Sequence, residues 1–272
     1  MIMNKSWKQD LITLLLLAAT ATVAQAQDRQ SPVDFNKSVI QHVRKLPKVT
    51  VDMSSHVDLS VKNTWNPADT SLGGNPFPKE FCTVKATVPA NSGSVTVDGR
   101  TYNLLQFHFH TPAEHTVDGD HAPMEVHFVC LDSTKALGQP DSLLVVGAWI
   151  VKGKKPNHEF NKIFDALPSP NTTVAVANFD LAEVFPSTSS TFRYPGGLTA
   201  PTYVAGFTPT IQEQIDSDTF PEIVNWVVSD EPIKLSGGQI EGFHALFDEP
   251  VGNSRETQDI AGRKVLRDGG KH

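Results

Sequence analysis

The chain has 272 residues, of which 39% are hydrophobic and 19% are charged, a composition typical of folded domains that excludes disorder throughout. Its net charge is −7 and its basic residues are scattered, so the sequence shows no basic patch for nucleic acid. After residue 30, no apolar run reaches the roughly eighteen residues of a membrane-spanning helix, which excludes a multispan membrane protein. The 18 glycines and 19 prolines favour many short elements joined by turns over a helical bundle.

The amino-terminal segment, residues 1–26, is predicted to be a secretory signal peptide. Lys5 and Lys8 precede an apolar stretch over residues 11–23, and small residues with an A-x-A end follow it. This pattern is typical of a cleaved signal peptide, and the stretch is short for the alternative, a membrane anchor. We therefore expect one exported domain over residues 27–272, periplasmic or secreted, with no attachment to a membrane after cleavage.

The middle of the chain reads as a series of strands. Extended apolar segments are bounded by turn residues, such as the Asp98-Gly99 dipeptide of a hairpin. A near-continuous apolar run at residues 143–151 predicts a strand buried on both faces, and residues 158–167 predict one short helix. The sequence therefore predicts one mostly-β domain with a large sheet. The other predicted strands are residues 84–88, 94–97, 101–110 and 124–131.

The sequence leaves two alternatives open for the cysteines and two for residues 203–221. Cys82 and Cys130 are the only cysteines, and two cysteines in an exported chain are compatible with a disulfide. Cys130 lies in an alternating apolar segment, which favours a buried thiol over a Cys82–Cys130 bond. Residues 203–221 interrupt the strand pattern with a polar, acidic stretch. We predict an inserted surface loop with one helical turn, and the alternative is a lid over a functional site.

A pair of histidines in an alternating strand indicates a metal site. The sequence QFHFH at residues 106–110 places His108 and His110 on one face, because side chains alternate along a strand. A second alternating strand carries His127, and the Asp118-Gly119 turn between the two allows them to lie antiparallel. Three neutral imidazoles suit Zn²⁺ and leave its fourth tetrahedral position open for water, which is typical of a catalytic zinc. The sequence therefore predicts that His108, His110 and His127 ligate one zinc ion.

Two polar residues are placed to orient these ligands. Gln106 shares a strand face with His108, and Glu125 shares one with His127. Metal-bound histidines usually donate their second N–H to a carboxylate or amide oxygen. Gln106 and Glu125 are therefore predicted to hold the ligand rings, and the alternative is that they are ordinary polar residues of a strand.

The motif around these histidines resembles the zinc site of the alpha-class carbonic anhydrases. The resemblance rests on QFHFH at 106–110, EHTVDG at 114–119 and MEVH at 124–127. Matches in the same order extend over nearly the whole chain, from a Q-S-P segment near the amino end to a loop that reads YPGGLT. These further matches are residues 30–34, 97–102, 194–199, 224–228 and 253–255.

This resemblance implies a fold and an activity. The fold is a single domain around a large, twisted, mainly antiparallel central sheet with a few short surface helices. The activity is that of a zinc-dependent carbonate dehydratase, which reversibly hydrates carbon dioxide to bicarbonate and a proton by attack of a zinc-bound hydroxide. The partner is then a small molecule, carbon dioxide or bicarbonate, and the oligomeric state is left open.

The resemblance also assigns roles to individual residues. Thr199 matches a residue that accepts a hydrogen bond from the zinc-bound hydroxide and passes its own proton toward Glu114. Asn253 matches a residue whose backbone carbonyl binds His110, and His115 matches a structural residue that is not a ligand. The residues that match the apolar pocket for carbon dioxide are Val129, Val145, Leu198, Val224 and Trp226.

The chain departs from the family at the group that carries protons out of the site. The family usually has a shuttling histidine upstream of the first zinc ligand, but none lies between His56 and His108. Cys82 occupies the best-matching position, and a thiol with a pKa of about 8.5 is a poor relay at neutral pH. We therefore expect slow, buffer-limited proton release, unless His56, His121 or another histidine reaches the mouth of the cavity.

Two other functions remain as alternatives. The H-x-H-x₃-E spacing from His108 to Glu114 also fits the first half of a cupin metal site, which would imply an iron or manganese enzyme. The second half of that motif is absent around His127. The other alternative is a binding module that kept the fold and lost the activity, which the missing shuttle and the insertion at 203–221 would favour.

Overall fold

The computed structural model of the chain describes residues 29–72, 77–247 and 252–268. The predicted signal peptide, residues 1–26, lies outside the described residues. No helix in the described ranges has the length and apolar character needed to cross a membrane.

Short strands dominate the described part of the chain, and the helices are few. The strands are β1 (Asp34–Phe35), β2 (Ile40–Val43), β3 (Val49–Met53), β4 (Val57–Asn63), β5 (Val84–Thr87), β6 (Gly93–Val97), β7 (Arg100–His110), β8 (Thr116–Val117), β9 (Asp120–His121), β10 (Met124–Asp132), β11 (Leu143–Lys152), β12 (Thr173–Phe179), β13 (Thr191–Gly196), β14 (Val224–Leu235) and β15 (Val265–Asp268). The helices are α1 (His158–Phe164), α2 (Leu181–Val184), α3 (Ile211–Ser217) and α4 (Gly237–His244), with a 3₁₀ turn at Lys79–Phe81.

Twelve of the described strands join in one sheet. Its main order is β12-β4-β5-β7-β10-β11-β14-β13-β15-β2, with β6 beside β7 and β3 beside β6. Most neighbouring strands are antiparallel, whereas β11–β14 and β15–β2 are parallel. The predicted fold class, a mostly-β domain around a large and mainly antiparallel sheet, is confirmed.

The apolar residues of the central strands fix which side chains face the site. The first eight positions of β11 are buried, as its continuous apolar run predicts. On β7, Phe107 and Phe109 are fully buried in the larger core, where the Phe107 ring stacks on Phe128. Each buried phenylalanine contributes about 1.5–3 kcal/mol, and a slip of one residue would turn these rings to the other face. The packing therefore directs His108 and His110 to the opposite face of the sheet.

The two cysteines do not form a disulfide. Cys82 and Cys130 are both buried free thiols. Burial also raises the pKa of Cys130 far above its ordinary value, which keeps the thiol protonated. The prediction that favoured a buried thiol is confirmed.

The inserted residues 203–221 lie between β13 and β14 and contain the predicted helical turn as α3. Thr210 caps this helix, because its side chain accepts from the backbone N–H of Glu213 while the Glu213 carboxylate accepts from that of Thr210. This reciprocal capping box satisfies backbone groups that a short helix leaves open. The segment therefore contains a short helix with a capped amino end.

Candidate metal centre

The antiparallel pairing of β7 with β10 assembles a cluster of three histidines. Its register sets His127 opposite His108 and Glu125 opposite His110. The ring centroids are 5.0 Å apart for His108 and His110, 5.3 Å for His108 and His127, and 4.7 Å for His110 and His127. One ligand nitrogen from each ring lies within 4.8 Å of the other two. The structure thus brings together the three residues predicted as metal ligands.

One nitrogen of each histidine on β7 is already held by a neighbour. His108 Nδ1 lies 2.9 Å from Gln106 Oε1, and His110 Nδ1 lies 2.9 Å from the backbone oxygen of Asn253. Asn253 is itself fixed, because its amide donates to two backbone carbonyls. These contacts leave Nε2 of both rings for a metal. Nε2 of His110 is buried with no hydrogen-bond partner among the described residues.

Glu125 supports the third ring. Its Oε1 lies 3.0 Å from His127 Nε2 and 2.8 Å from His115 Nδ1. Its Oε2 accepts from the backbone N–H groups of Glu114, at 2.9 Å, and His115, at 2.8 Å. Because Nε2 of His127 faces this carboxylate, Nδ1 is the nitrogen left for a metal. Gly147 lies opposite His127, and a Cβ there would stand 3.0 Å from Glu125 Oε1, so the glycine leaves room for the pair.

A second group of donors overlaps the first. His115, Glu125 and His127 also lie close enough together to hold a metal ion. However, both nitrogens of His115 are engaged, Nδ1 by Glu125 and Nε2 by the Tyr194 hydroxyl at 2.6 Å. A metal at this place would have to replace a buried hydrogen bond of His115. In the three-histidine cluster, by contrast, each ring has a nitrogen that is not engaged by a neighbour and can bind a metal. His115 therefore sits where a structural residue would, as the resemblance implied.

The protonation of the three rings differs with their surroundings. Burial holds the pKa of His108 well below its ordinary value, and the neighbouring imidazoles add to the effect. Burial also lowers the pKa of His110, although Glu114 opposes it. Burial would lower the pKa of His127 too, but the Glu125 carboxylate outweighs it and raises that pKa. Two rings thus favour the neutral form that binds metals, and the third has a carboxylate to accept its second N–H.

Thr199 and Glu114 lie at the site but are not joined by a hydrogen bond in the structure. Thr199 stands in the wall of the cavity. Glu114 Oε1 accepts from the backbone N–H of Arg255 at 3.0 Å. Glu114 Oε2 is buried 3.8 Å from His127 Nδ1, with no hydrogen-bond partner among the described residues. This oxygen is therefore an available acceptor for the donor that the resemblance assigns to Thr199.

A cavity of about 430 Å³ opens beside the histidines. Four of the five residues predicted for the carbon dioxide pocket line it, and they are Val129, Val145, Leu198 and Trp226. The fifth, Val224, is fully buried and is not part of the wall. It lies two residues before Trp226 on β14 and packs in the same apolar cluster. The wall next to the rings is therefore mostly apolar.

The cavity offers no imidazole beyond the candidate ligands. Within the described ranges, His108 and His127 are the only histidines in its wall, so neither His56 nor His121 reaches it. Cys82 lines the cavity, as its match to the shuttle position predicts. Burial raises the pKa of its thiol to about 11, so the thiol stays protonated at neutral pH.

Lys85 and Asp69 are charged residues of the cavity wall that the sequence did not indicate. Lys85 lies on β5 directly across from His108 in antiparallel register. Residues directly opposite in such a pair share a sheet face, so the ammonium group stands on the side of the metal cluster. The alternation of residues along β5 was the one pattern in the sequence that could have indicated Lys85. It places Lys85 at the site only once the register of β5 with β7 is known.

The donor set fits a zinc ion. Three imidazole nitrogens with held rings, an available Nε2 on His110 and an adjacent cavity match a site with three protein ligands and one open position. No cysteine takes part in the cluster, since Cys82 and Cys130 lie outside it. The cluster therefore offers three protein ligands for a metal ion and no fourth from a cysteine.

Fold and site together define a mostly-β protein with a large sheet and a candidate three-histidine metal centre. The model of eukaryotic-type carbonic anhydrases matches residues 18–215. The chain is 30% identical over 239 residues to a carbonic anhydrase of Neisseria gonorrhoeae, covering 87% of this chain and 76% of that one. It is 29% identical over 217 residues to a carbonic anhydrase of Klebsiella pneumoniae, covering 78% and 77%.

A solved structure agrees with these sequence relatives. The alpha-carbonic anhydrase of Thermovibrio ammonificans, in complex with the inhibitor sulfanilamide, superposes with a TM-score of 0.66 at 30% identity, covering 88% of this chain and 87% of that one. The chain belongs to the eukaryotic-type, or alpha, carbonic anhydrase family. The activity of this family is the hydration of carbon dioxide.

Proposed function

We propose that this chain is an exported, zinc-dependent carbonic anhydrase that interconverts carbon dioxide and bicarbonate. The observation that carries the proposal is the cluster of His108, His110 and His127, in which each ring has one nitrogen held by a neighbour and the other left over. This cluster stands beside a cavity whose nearest walls are apolar. Membership of the carbonic anhydrase family supports the same substrate.

Different residues would bind the metal and hold the ligand rings in such a site. A zinc ion held by the three histidines would act as a Lewis acid and lower the pKa of a bound water to about 7. Gln106, Glu125 and the Asn253 carbonyl keep the ligand rings in place. Holding rings in a fixed orientation raises metal affinity, because less freedom is lost on binding.

Thr199 and Glu114 orient the reacting oxygen. Glu114 is a buried carboxyl group whose Oε2 has no hydrogen-bond donor among the described residues, so it accepts a hydrogen bond from the Thr199 hydroxyl in the working site. Because its own proton points to Glu114, the Thr199 oxygen can only accept a hydrogen bond from the reacting hydroxide. That hydrogen bond fixes the direction of the hydroxide proton and therefore the orientation of its lone pairs. This is catalysis by orientation.

The apolar wall provides a place for carbon dioxide, which is small and uncharged. Val129, Val145, Leu198 and Trp226 surround the space beside the rings. Trp226 is fixed because its indole nitrogen donates to the Gly197 carbonyl at 3.0 Å. An apolar surface binds water weakly, so carbon dioxide displaces it at little cost.

Proton release is the slow step in this proposal. The described cavity wall holds no histidine beyond two candidate ligands, and the Cys82 thiol has a pKa of about 11. A relay works best when its pKa lies near the working pH. Buffer molecules therefore carry the proton, and the turnover rate rises with buffer concentration.

A stopped-flow assay of carbon dioxide hydration, with zinc content measured on the same sample, tests the proposal. We expect hydration that needs stoichiometric zinc, increases with imidazole concentration, and is inhibited by sulfanilamide, the ligand of the Thermovibrio ammonificans relative. Full zinc occupancy without hydration at saturating imidazole would show a binding module instead. Stoichiometric iron or manganese with no zinc would favour the cupin-type alternative.

Export rests on residues 1–26 alone. We expect the protein from a periplasmic or culture fraction to begin at Gln27, which amino-terminal sequencing would show. A cytoplasmic protein that keeps residues 1–26 would refute export without affecting the proposed activity.

A further inference from the structure

The inserted residues 203–221 are bonded to the loop that carries Thr199. We call residues 198–202 the Thr199 loop. At its start, the backbone N–H of Leu198 donates to the carbonyl of Pro221 at 2.9 Å. At its end, Thr202 is bonded in both directions to Gln214 of α3, with Thr202 N to Gln214 Oε1 at 3.1 Å and Gln214 Nε2 to Thr202 O at 3.0 Å. Both ends of the loop therefore depend on the insertion.

Gln214 is a buried amide whose hydrogen-bonding groups are all used. It is 1% exposed, and its Nε2 also donates to the Pro209 carbonyl at 3.3 Å. A buried amide with partners on both its oxygen and its nitrogen is held in one orientation. Its helix neighbour Gln212 is exposed, and among the described residues its side chain bonds only to Asp216 within α3. The two glutamines thus differ in contact with the Thr199 loop but share a helix.

The far end of the insertion reaches the residue that holds Glu114. The Arg255 guanidinium lies 4.0 Å from the Phe220 ring, and its Nε donates to Asp218 Oδ1 at 2.9 Å. The backbone N–H of the same arginine donates to Glu114 Oε1. The insertion is therefore attached to both partners of the Thr199–Glu114 pair.

Thr199 lies in a loop and is not held by strand pairing. β13 ends at Gly196 and β14 begins at Val224, so Thr199 lies outside the hydrogen-bonded ladder. Its position then depends on the attachments of the loop at Leu198 and Thr202. A shift of about 1 Å in an orienting group can cost about 100-fold in rate.

We propose that Gln214 is a positioning residue that holds Thr199 in the cavity wall, and that the insertion serves as the support of the Thr199 loop. The proposal rests on the proposed function, since it assigns Gln214 an effect on carbon dioxide hydration through Thr199. It goes beyond the two sequence-based interpretations of this segment, a surface loop and a lid, because it gives the segment a supporting role.

The test compares Gln214→Leu with Gln212→Leu, a matched control on the exposed face of the same helix. Hydration at saturating imidazole, zinc content and amide hydrogen exchange over residues 198–202 are measured for both. We expect Gln214→Leu to lower kcat/KM about tenfold, with zinc content unchanged and faster exchange of the Thr202 amide. Gln212→Leu should match the wild type in all three.

A double-mutant cycle separates positioning from general stability. If Gln214 acts through Thr199, Gln214→Leu should have no further effect on kcat/KM in a Thr199→Ala background. Equal losses in both backgrounds, or a Gln214→Leu enzyme as active as Gln212→Leu, would overturn the proposal. Should the leucine variant not fold, Gln214→Met, which is unbranched and of similar length, takes its place with the same expected results.

The proposed function and the support role fail in different ways. A zinc-loaded wild type without hydration refutes the function, and amide exchange then still decides whether Gln214 holds the loop. An active wild type in which the loss of Gln214 leaves the hydration rate unchanged refutes the support role alone.

Discussion

Replacing Glu125 with glutamine tests how far the metal site depends on a carboxylate behind its third ring. Four groups face this side chain. Two backbone N–H groups are hydrogen-bonded to Oε2 and His115 Nδ1 to Oε1, while His127 Nε2 lies 3.0 Å from Oε1 without the alignment of a hydrogen bond and donates to it when the ring is metal-bound. A carboxylate accepts at both oxygens, whereas an amide has one oxygen and one NH₂ group. In either orientation of the new amide, two of the four donors lose their acceptor.

The expected magnitudes follow from this count. Each buried donor without an acceptor costs about 1–3 kcal/mol, so the free energy of unfolding should fall by about 2–6 kcal/mol. With NH₂ toward the rings, His127 loses the acceptor for its Nε2 proton, and the neutral ring then places the proton on Nδ1, the nitrogen left for a metal. Zinc affinity should therefore fall about 10- to 100-fold, or about 1.4–2.8 kcal/mol.

Competition with a chromogenic chelator measures the zinc affinity, and urea unfolding of the metal-free protein measures the stability. Glu256→Gln, at an exposed position, makes the same chemical change away from the site and should alter neither quantity. A Glu125→Gln protein with wild-type zinc affinity and reduced stability would refute the tautomer reasoning. Wild-type values for both would refute the contacts themselves.

Five further predictions concern single residues. His110→Ala should abolish zinc retention after dialysis, whereas Gln106→Ala should weaken zinc affinity or activity about 10- to 100-fold; zinc bound equally well by the first variant would overturn the ligand set. The Cys82 thiol should resist alkylation by iodoacetamide at pH 8 in the native protein and react in urea, because burial raises its pKa to about 11; rapid native labelling would contradict that burial. Lys85→Met should weaken inhibition by the anion nitrate about two- to fivefold, or about 0.4–1 kcal/mol for a partly exposed charge. The KM for uncharged carbon dioxide should stay unchanged, and equal changes in both quantities would show a structural effect. Burial would raise the pKa of Glu125, but the charges of His115 and His127 hold it well below the ordinary value, so the unfolded chain takes up the proton first. The stability contribution of Glu125 should then be complete above about pH 4.3 and decrease below it. Urea titrations at pH 6 and pH 3.5 should therefore show a smaller loss of stability for Glu125→Gln than for the wild type, and equal losses would contradict the prediction.

The local pattern of the chain was enough to place the candidate ligands on strands. The alternation in 106–110 and 124–131 predicted two neighbouring strands, and the structure has β7 at Arg100–His110 and β10 at Met124–Asp132. Side-chain direction along a strand depends only on residue parity. Which residues share a face could therefore be predicted from the sequence.

Boundaries and small elements were predicted less well. Residues 158–167 predicted one helix, but α1 ends at Phe164, three residues before Leu167 and ahead of Pro168. The short strands β1, β2 and β15 carry weak apolar patterns and exist through pairing with distant segments, such as β15 with β2. Such pairing is a tertiary effect that no local pattern contains.

The sequence by itself determined the type of site, because the ligand residues, their strand faces and two of the groups that hold them lie within one short stretch, residues 106–127. The tertiary structure decided what surrounds that site. The family resemblance, and not the local pattern, implied that Asn253 reaches His110 across 143 residues. Only the structure shows that Lys85 faces His108 through the β5–β7 register and that α3 reaches the Thr199 loop through Gln214. Contacts of this kind depend on strand register and on the path of long connections. These are fixed by burial of the whole sheet rather than by the periodicity of any one segment.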